Sequence, residues 1–177
     1  PQKAADLFKY GHEKVTSESS FHGGLSEYII LRKNTPVVLI KDDMPNSVAA
    51  LVNCSVATVS GSFRLAGSVK DKTVLISGAG MLGTIACAMA KHANSAKVIA
   101  FDQDQKRATN ALAFGADHAI GTESLDNNAS YSSKSNALEG GVDILLEFTG
   151  QPKAIMEAVA QLNVGGKAIL VGSTFRQ

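Results

Sequence analysis

The sequence has no tryptophan and only two cysteines, Cys54 and Cys87, among its 177 residues. Two cysteines cannot build the disulfide framework that stabilises small secreted domains. The formal net charge is +1, and no basic run or aromatic-basic patch indicates nucleic-acid binding. No unbroken apolar run approaches the roughly 20 residues that cross a bilayer, and residues 1–10 lack a signal-peptide pattern. We therefore expect a cytoplasmic protein with neither a nucleic-acid nor a membrane partner.

What is present suits a globular chain of one domain, or of one domain and part of another. Hydrophobic residues make up 45% of the sequence and charged residues 19%, which is sufficient to bury a core. In the first part of the chain, residues 25–31 and 35–41 are apolar or β-branched and predict two strands. Residues 47–67 are rich in Ala, Val and Ser and predict a helix after the turn at Pro45.

The pattern after residue 68 alternates short apolar runs with helical segments. Such alternation predicts βαβ units in an α/β fold, a doubly wound parallel sheet of Rossmann type with about five strands. The apolar runs are nearly continuous, as expected where helices cover both sheet faces. The expected strands are 72–77, 96–101, 118–120, 142–148 and 167–171, and the expected helices are 81–93, 104–114 and 152–162. Residues 122–141 are less regular and predict a short crossover helix or a loop.

Residues 78–83 read Gly-Ala-Gly-Met-Leu-Gly and fit the pattern G-x-G-x-x-G. Glycines alone only mark turns, but this motif follows a predicted strand and opens a predicted helix. The first glycine permits a tight turn, the second admits a pyrophosphate, and the third lets helix and strand pack closely. The free N–H groups of the helix terminus attract phosphate. We predict that the motif binds a dinucleotide through Gly78, Gly80, Met81, Leu82 and Gly83.

Asp102 ends the second predicted strand, 24 positions after Gly78. A carboxylate there accepts hydrogen bonds from the ribose hydroxyls and repels a 2′-phosphate, which favours NAD over NADP. Arg107 is a competing signal, because a nearby guanidinium partly accommodates a phosphate. Two other interpretations stay open, namely a glycine turn beside a surface aspartate and the related loop of a methyltransferase.

Several longer stretches resemble the medium-chain, zinc-containing alcohol dehydrogenases. They are GGLSEYIIL (23–31), LIKDDMPNSVAALVNCSVATV (39–59), DKTVLISGAGMLGTIACAMAK (71–91), FGADHAI (114–120) and GGKAILVGS (165–173). The similarity extends over nearly the whole chain. Two segments, KYGHE (9–13) and NCSVATV (53–59), are most similar to a branch associated with phosphonate breakdown.

The resemblance implies roles for individual residues. Cys54 matches the position that supplies one thiolate to the catalytic zinc, which leaves a coordination site for the alcohol oxygen. Thr58 matches a catalytic-site residue near the nicotinamide ring, and Leu82 matches an apolar residue on the other side of that ring. Arg107 matches a basic residue near the adenosine ribose. Positions that match backbone lying against the cofactor are Thr149, Gly150, Val171, Gly172 and Ser173.

The resemblance also implies a division of the chain. Residues 1–45 correspond to a remnant of the GroES-like catalytic domain, 46–68 to a connecting helix, and 69–177 to an NAD-binding domain that stops before its sixth strand. We expect the complete protein to be a homo-oligomer that transfers hydride from a small-molecule alcohol to NAD⁺ with the help of zinc. Two further zinc ligands of the family lie outside the sequence, so we expect this chain alone to be inactive. The alternative is an NAD(H)-binding or NAD(H)-sensing module without chemistry.

Overall fold

The structure is a computed structural model, and it describes residues 8, 10–17, 20–122 and 136–172. The chain divides into two compact units, Pro1–Asp43 and Met44–Gln177. The segment 46–68, expected as a separate connector, lies within the second unit.

The described part of the first unit contains neither helix nor strand, so the two strands predicted at 25–31 and 35–41 are wrong. A strand forms only where its backbone finds a hydrogen-bonding partner along its length. The backbone N–H of Ile30 donates to the carbonyl of Phe21 across a loop, and no ladder continues from it in the described residues. The side chains of Leu25, Val38 and Leu39 are exposed. The prediction was wrong because it rested on apolar composition alone, whereas a strand also needs a pairing partner.

The contacts described within this unit centre on Tyr10. Its hydroxyl lies 2.6 Å from the hydroxyl of Thr35 and accepts a hydrogen bond from the backbone N–H of Arg32 at 2.7 Å. The ring of Phe8 meets the rings of Tyr10 and His22 edge to face, with centroids 5.0 and 5.1 Å apart. The guanidinium of Arg32 lies 3.7 Å above the Phe8 ring, a cation–π contact.

The second unit begins with a helical segment whose middle turn is wider than an α-helix. α1 (Asn46–Leu51) runs into a π-helical turn (Val52–Val56) and then into α2 (Ala57–Ala66). One stripe of the segment is buried, made by Ser55, Val59, Ser62 and Ala66. These spacings of three and four residues place the side chains on one face. α2 ends where Gly67 adopts a positive φ of 82°, which glycine tolerates without strain.

By length and composition, the segment Asn46–Ala66 is the one described helix that meets the requirement for crossing a membrane. The sequence-based expectation counted only unbroken apolar runs and missed it. The expectation missed the segment because Ser, Thr and Asn interrupt its apolar residues. The segment meets the requirement because its first charged residue is Arg64. Only 17% of its apolar window is buried, and the buried stripe includes Val59, which packs in the core of this unit.

The second unit is built around a parallel sheet in which every pair of neighbours is parallel. The strand order is β3-β2-β1-β4-β5. The strands are β1 (Thr73–Ser77), β2 (Lys97–Asp104), β3 (His118–Thr122), β4 (Val142–Glu147) and β5 (Leu162–Leu170). The helices after α2 are α3 (Met81–His92), α4 (Gln105–Leu112) and α5 (Pro152–Val159). This order confirms the predicted α/β Rossmann-type architecture.

Several boundaries differ from the sequence-based prediction, most of all those of β2, α5 and β5, and β2 ends at Asp104 rather than at 101. β5 begins at Leu162 rather than at 167, because Leu162 already pairs with Val142 before a shift in register. α5 ends correspondingly early, at Val159. The crossover expected within 122–141 lies mostly outside the described residues, which resume with a short 3₁₀ helix at Asn136–Leu138.

The core lies on both faces of the three central strands. On one face, Val74 and Ile76 of β1 pack with Ala86 and Ala90 of α3. On the other, Leu75 and Leu145 pack with Ala158 of α5. Alternate residues of β1 therefore enter opposite clusters, as strand geometry requires. Small alanines on the helices allow close approach to the sheet.

Candidate functional site

The glycine motif forms the link between β1 and α3. Gly78 follows β1 with φ of 94°, and its N–H donates to the carbonyl of Phe101 at 2.7 Å. A Cβ at Gly83 would lie 1.9 Å from the carbonyl oxygen of Gly78, so the helix approaches the loop as closely as glycine permits. A Cβ at Gly80 would meet nothing within 4 Å. The backbone at Gly80, the N-cap of α3, thus faces open space.

Asp102 ties the motif to the adjacent strand. One of its carboxylate oxygens accepts a hydrogen bond from the N–H of Ala79 at 2.8 Å, and the other accepts from the N–H of Asp104 at 2.9 Å. Each carboxylate oxygen retains a further lone pair for another donor. The side chain therefore holds the loop and still presents a negative charge beside it.

The turn after β4 completes the site. The N–H of Phe148 donates to the carbonyl of Ser77, the last residue of β1, at 2.8 Å. A Cβ at Gly78 would lie 3.0 Å from the methyl carbon of Thr149. The turn is therefore packed directly against the glycine motif. Glu147 lies behind it, fully buried, and accepts hydrogen bonds from the backbone N–H groups of Thr149 at 2.6 Å and Gly150 at 3.1 Å.

These three segments enclose a cleft of about 370 Å³ at the carboxyl ends of β1, β2 and β4. Open α/β sheets bind their ligands at this edge. The lining residues are Gly78, Gly80, Met81, Leu82, Gly83, Phe101, Asp102, Gln103, Arg107, Phe148, Thr149, Gln151 and Ala154. The cleft combines one acidic and one basic side chain with glycine backbone and apolar walls.

Most residues expected to bind the cofactor meet in this cleft. The structure brings together Gly78, Gly80, Met81, Leu82, Gly83, Asp102, Arg107 and Thr149. Gly150 is buried behind the wall, and the N–H groups of Val171 and Gly172 donate to the carbonyl of Glu147 at 2.9 and 3.0 Å. Ser173 lies outside the described residues. The binding roles themselves stay predictions.

The two residues expected at the chemical centre lie elsewhere in the second unit. Cys54 is exposed in the π-helical turn, a helix irregularity that is frequent at functional sites. Thr58 is half-buried on α2 and does not line the cleft. A link between the two regions runs through the hydroxyl of Ser55, which donates to the sulfur of Met81 at 3.6 Å. Within the described residues, no three His, Cys, Asp or Glu side chains cluster as a metal site would require.

Sequence reasoning missed several residues of the cleft. Phe101 and Gln103 flank Asp102, while Phe148 and Gln151 flank the turn at 149–150. The rule that ligands lie at the ends of parallel strands could have found them. The sequence also contained an indication of Glu147, because this charged residue follows the apolar residues of β4 directly.

The comparisons with known proteins agree with this geometry. The family model of zinc-binding dehydrogenases matches residues 82–177. L-threonine 3-dehydrogenase of Anaeromyxobacter sp. (strain K) is 30% identical over 152 residues, which are 85% of this chain and 42% of that protein. The chain therefore spans less than half the length of this relative.

Two solved structures extend the likeness to the fold. An alcohol dehydrogenase from Thermotoga maritima superposes with a TM-score of 0.68 at 28% identity, covering 78% of this chain and 38% of that one. Galactitol-1-phosphate dehydrogenase from Escherichia coli superposes with a TM-score of 0.73 at 25% identity, covering 88% of this chain and 44% of that one.

A Rossmann-type sheet with a glycine-lined cleft at its carboxyl edge defines the class as a Rossmann-type nucleotide-fold domain. This chain belongs to the zinc-binding dehydrogenase family, among the medium-chain alcohol dehydrogenases. Membership decides against the methyltransferase interpretation.

Proposed function

We propose that this chain is the NAD-binding portion of a zinc-dependent alcohol dehydrogenase, which transfers hydride from a small-molecule alcohol to NAD⁺. The observation that carries the proposal is the cleft in which the glycine motif, Asp102 and the turn at Thr149 meet. The relatives support an alcohol as substrate, since their names specify an alcohol, threonine and galactitol 1-phosphate.

The residues of the cleft fit a dinucleotide. The open space at Gly80 leaves room for a phosphate against the backbone, and the N-terminus of α3 presents unbonded N–H groups to it. The negative charge of Asp102 suits ribose hydroxyls and disfavours a 2′-phosphate. Met81 and Leu82 offer an apolar wall for a ring. When bound, NAD⁺ supplies the hydride acceptor, and the chain's own residues hold and orient it.

The described residues do not form a zinc site. Zinc in proteins takes three or four ligands, whereas no three His, Cys, Asp or Glu side chains of the described residues form a group that could hold one ion. The resemblance assigns a ligand role to Cys54 alone, and its thiol is exposed. We therefore derive no step through the metal from this chain. Cys54 as a zinc ligand and Thr58 as a residue near the nicotinamide remain part of the proposal for the whole protein, as does its homo-oligomeric state.

A second candidate is a domain that binds or senses NAD(H) without chemistry. The absence of a three-ligand cluster from the described residues favours it. The two candidates share the cleft and differ in turnover. Turnover belongs to the whole protein under the first candidate, so both candidates predict no NADH formation by the pure chain. Alcohol-dependent NADH formation by it would exclude the second candidate.

Calorimetric titration with NADH and, separately, with NADPH tests the proposal. We expect tighter binding of NADH, because Asp102 repels the additional phosphate. Tighter binding of NADPH would make Arg107 the dominant residue and would overturn the NAD assignment. Binding of neither nucleotide, by a sample that circular dichroism shows to be folded, would overturn the proposed function.

A further inference from the structure

Glu147 is a fully buried carboxylate that does not line the cleft. Burial of a charge is costly unless hydrogen bonds compensate for the lost water. Here the donors come from the two residues of the following turn: both the N–H and the hydroxyl of Thr149, and the N–H of Gly150. All three bonds end on one carboxylate oxygen, Oε1, and the N–H of Gly150 also lies 3.3 Å from the other oxygen, Oε2.

The hydroxyl of Thr149 is committed in both directions. It donates to Glu147 and accepts a hydrogen bond from the N–H of Gln151, the N-cap of α5, at 3.0 Å. Its methyl group faces the glycine motif, next to the Cα of Gly78. The carboxylate thus fixes the rotamer of Thr149, a residue of the cleft wall, with its methyl group against the glycine motif.

The same glutamate also anchors the end of β5. Its carbonyl accepts hydrogen bonds from the N–H groups of Val171 and Gly172. A Cβ at Gly172 would lie 2.1 Å from the nitrogen of Gly150 and 2.9 Å from a carboxylate oxygen of Glu147. Glu147 therefore holds two neighbouring segments, the turn through its side chain and the residues after β5 through its carbonyl.

We propose that Glu147 is a positioning residue of the dinucleotide site, acting through the Thr149 hydroxyl to set the wall formed by Phe148 and Thr149. The inference rests on the proposed function. Dinucleotide affinity then depends on a carboxylate that never touches the ligand. If Glu147 had a purely structural role, its substitution would lower the melting temperature and leave the NADH affinity of the folded protein unchanged.

Four variants of the full 177-residue chain separate these roles. Glu147→Gln keeps the side-chain shape and an acceptor oxygen for these donors but removes the negative charge that strengthens the bonds. Thr149→Val keeps the shape but removes the hydroxyl. Thr149→Ser restores that hydroxyl. Ile144→Val removes one buried methyl group from the same strand, away from the cleft, and serves as a destabilised control.

The readouts are the dissociation constant for NADH, the melting temperature and hydrogen exchange at the amides of Thr149 and Gly150. We expect Glu147→Gln and Thr149→Val to weaken NADH binding roughly tenfold, the effect of losing a charge-assisted hydrogen bond. Exchange at both amides should accelerate in Glu147→Gln. Thr149→Ser should recover most of the affinity that Thr149→Val loses, and Ile144→Val should lower only the melting temperature.

Wild-type affinity in Thr149→Val would overturn the inference, even if Glu147→Gln failed to fold. An equal loss of affinity in Ile144→Val would also overturn it, because stability alone would then explain the effect. If the wild-type chain bound no NADH, the proposed function would fail and this inference with it. If the wild type bound NADH and none of the variants changed the affinity, the inference about Glu147 would fail while the proposed function would stand.

Discussion

The N–H of Ala79 donates to the carboxylate of Asp102 at 2.8 Å, so the residue expected to recognise the ribose also holds the glycine loop in place. The two tasks use different properties of the side chain. Holding the loop needs an acceptor oxygen, whereas discrimination against a 2′-phosphate needs the negative charge. A substitution that removes only the charge therefore separates them.

Asp102→Asn retains an acceptor for the N–H of Ala79 and loses the charge, together with the bond from the N–H of Asp104. We expect the ratio of NADPH to NADH affinity to rise by about tenfold, which one moderate charge interaction accounts for, with a lower melting temperature from the lost bond. Asp104→Asn is the matched control, since Asp104 accepts bonds from Lys106 and Arg107 as an N-cap outside the cleft, and asparagine caps helices equally well. An equal change in both variants would show that general charge, not Asp102, sets the preference.

Gly80→Ala tests the open space in the cleft. A Cβ there meets no protein atom within 4 Å, so the fold should tolerate it while a bound phosphate should not. We expect weaker NADH binding at an unchanged melting temperature. Gly61→Ala in α2 is the control: its Cβ also meets nothing within 4 Å, and alanine should stabilise that helix by about 0.5–1 kcal/mol without affecting NADH. Normal NADH affinity in Gly80→Ala would argue against phosphate at this position.

Gly83→Ala tests the close contact between α3 and the loop. Its Cβ would lie 1.9 Å from the Gly78 oxygen, and backbone must move to accommodate it. We expect a loss of unfolding free energy of about 1–3 kcal/mol or more, together with weakened binding. Denaturant titration measures this loss, and a stability equal to that of Gly80→Ala would contradict the packing described.

Asp117 predicts a pH dependence of stability. Burial tends to raise its pKa, but hydrogen bonds from Lys91 and from the N–H of Val98 outweigh that effect and hold the pKa below its usual range. The folded state therefore gains stability from this group above the unfolded pKa of about 3.9, and loses it as the pH falls through the lower folded value. The ion pair is partly exposed, so we expect about 1 kcal/mol at most.

Denaturant titrations of wild type and Asp117→Asn between pH 3 and pH 7 measure that contribution. The difference between the two proteins should be largest near neutral pH and should shrink under acid conditions. Lys91→Met provides the other arm of a double-mutant cycle. A difference that stays constant with pH would show that Asp117 does not titrate differently in the folded state.

The two cysteines should differ sharply in reactivity. Burial raises the pKa of the Cys87 thiol to about 12, despite a lowering backbone hydrogen bond, whereas Cys54 is exposed. At pH 8 only about one Cys87 in ten thousand is then a thiolate, and the thiolate is the reactive form. We expect one fast-reacting thiol in the native protein and two after unfolding. Cys54→Ser should abolish the fast reaction and Cys87→Ala should leave it, and two equally fast thiols would contradict the burial of Cys87.

The sequence by itself determined the alternation of strands and helices after residue 68 and the position of the glycine motif. Both signals are local: apolar runs define buried strands, and glycines at fixed spacing mark a turn that admits a ligand. It also indicated Asp102, because an acidic residue that binds the ribose is expected at about that distance from the motif.

Only the tertiary structure decided how these segments pair. The runs at 25–31 and 35–41 read as strands, but strands depend on partners that local sequence does not specify, and the described residues provide none. The early start of β5 likewise follows from pairing between Leu162 and Val142. Glu147 acquires its role only where the ends of β1, β4 and β5 meet, because its carboxylate and carbonyl hold segments that folding alone brings together.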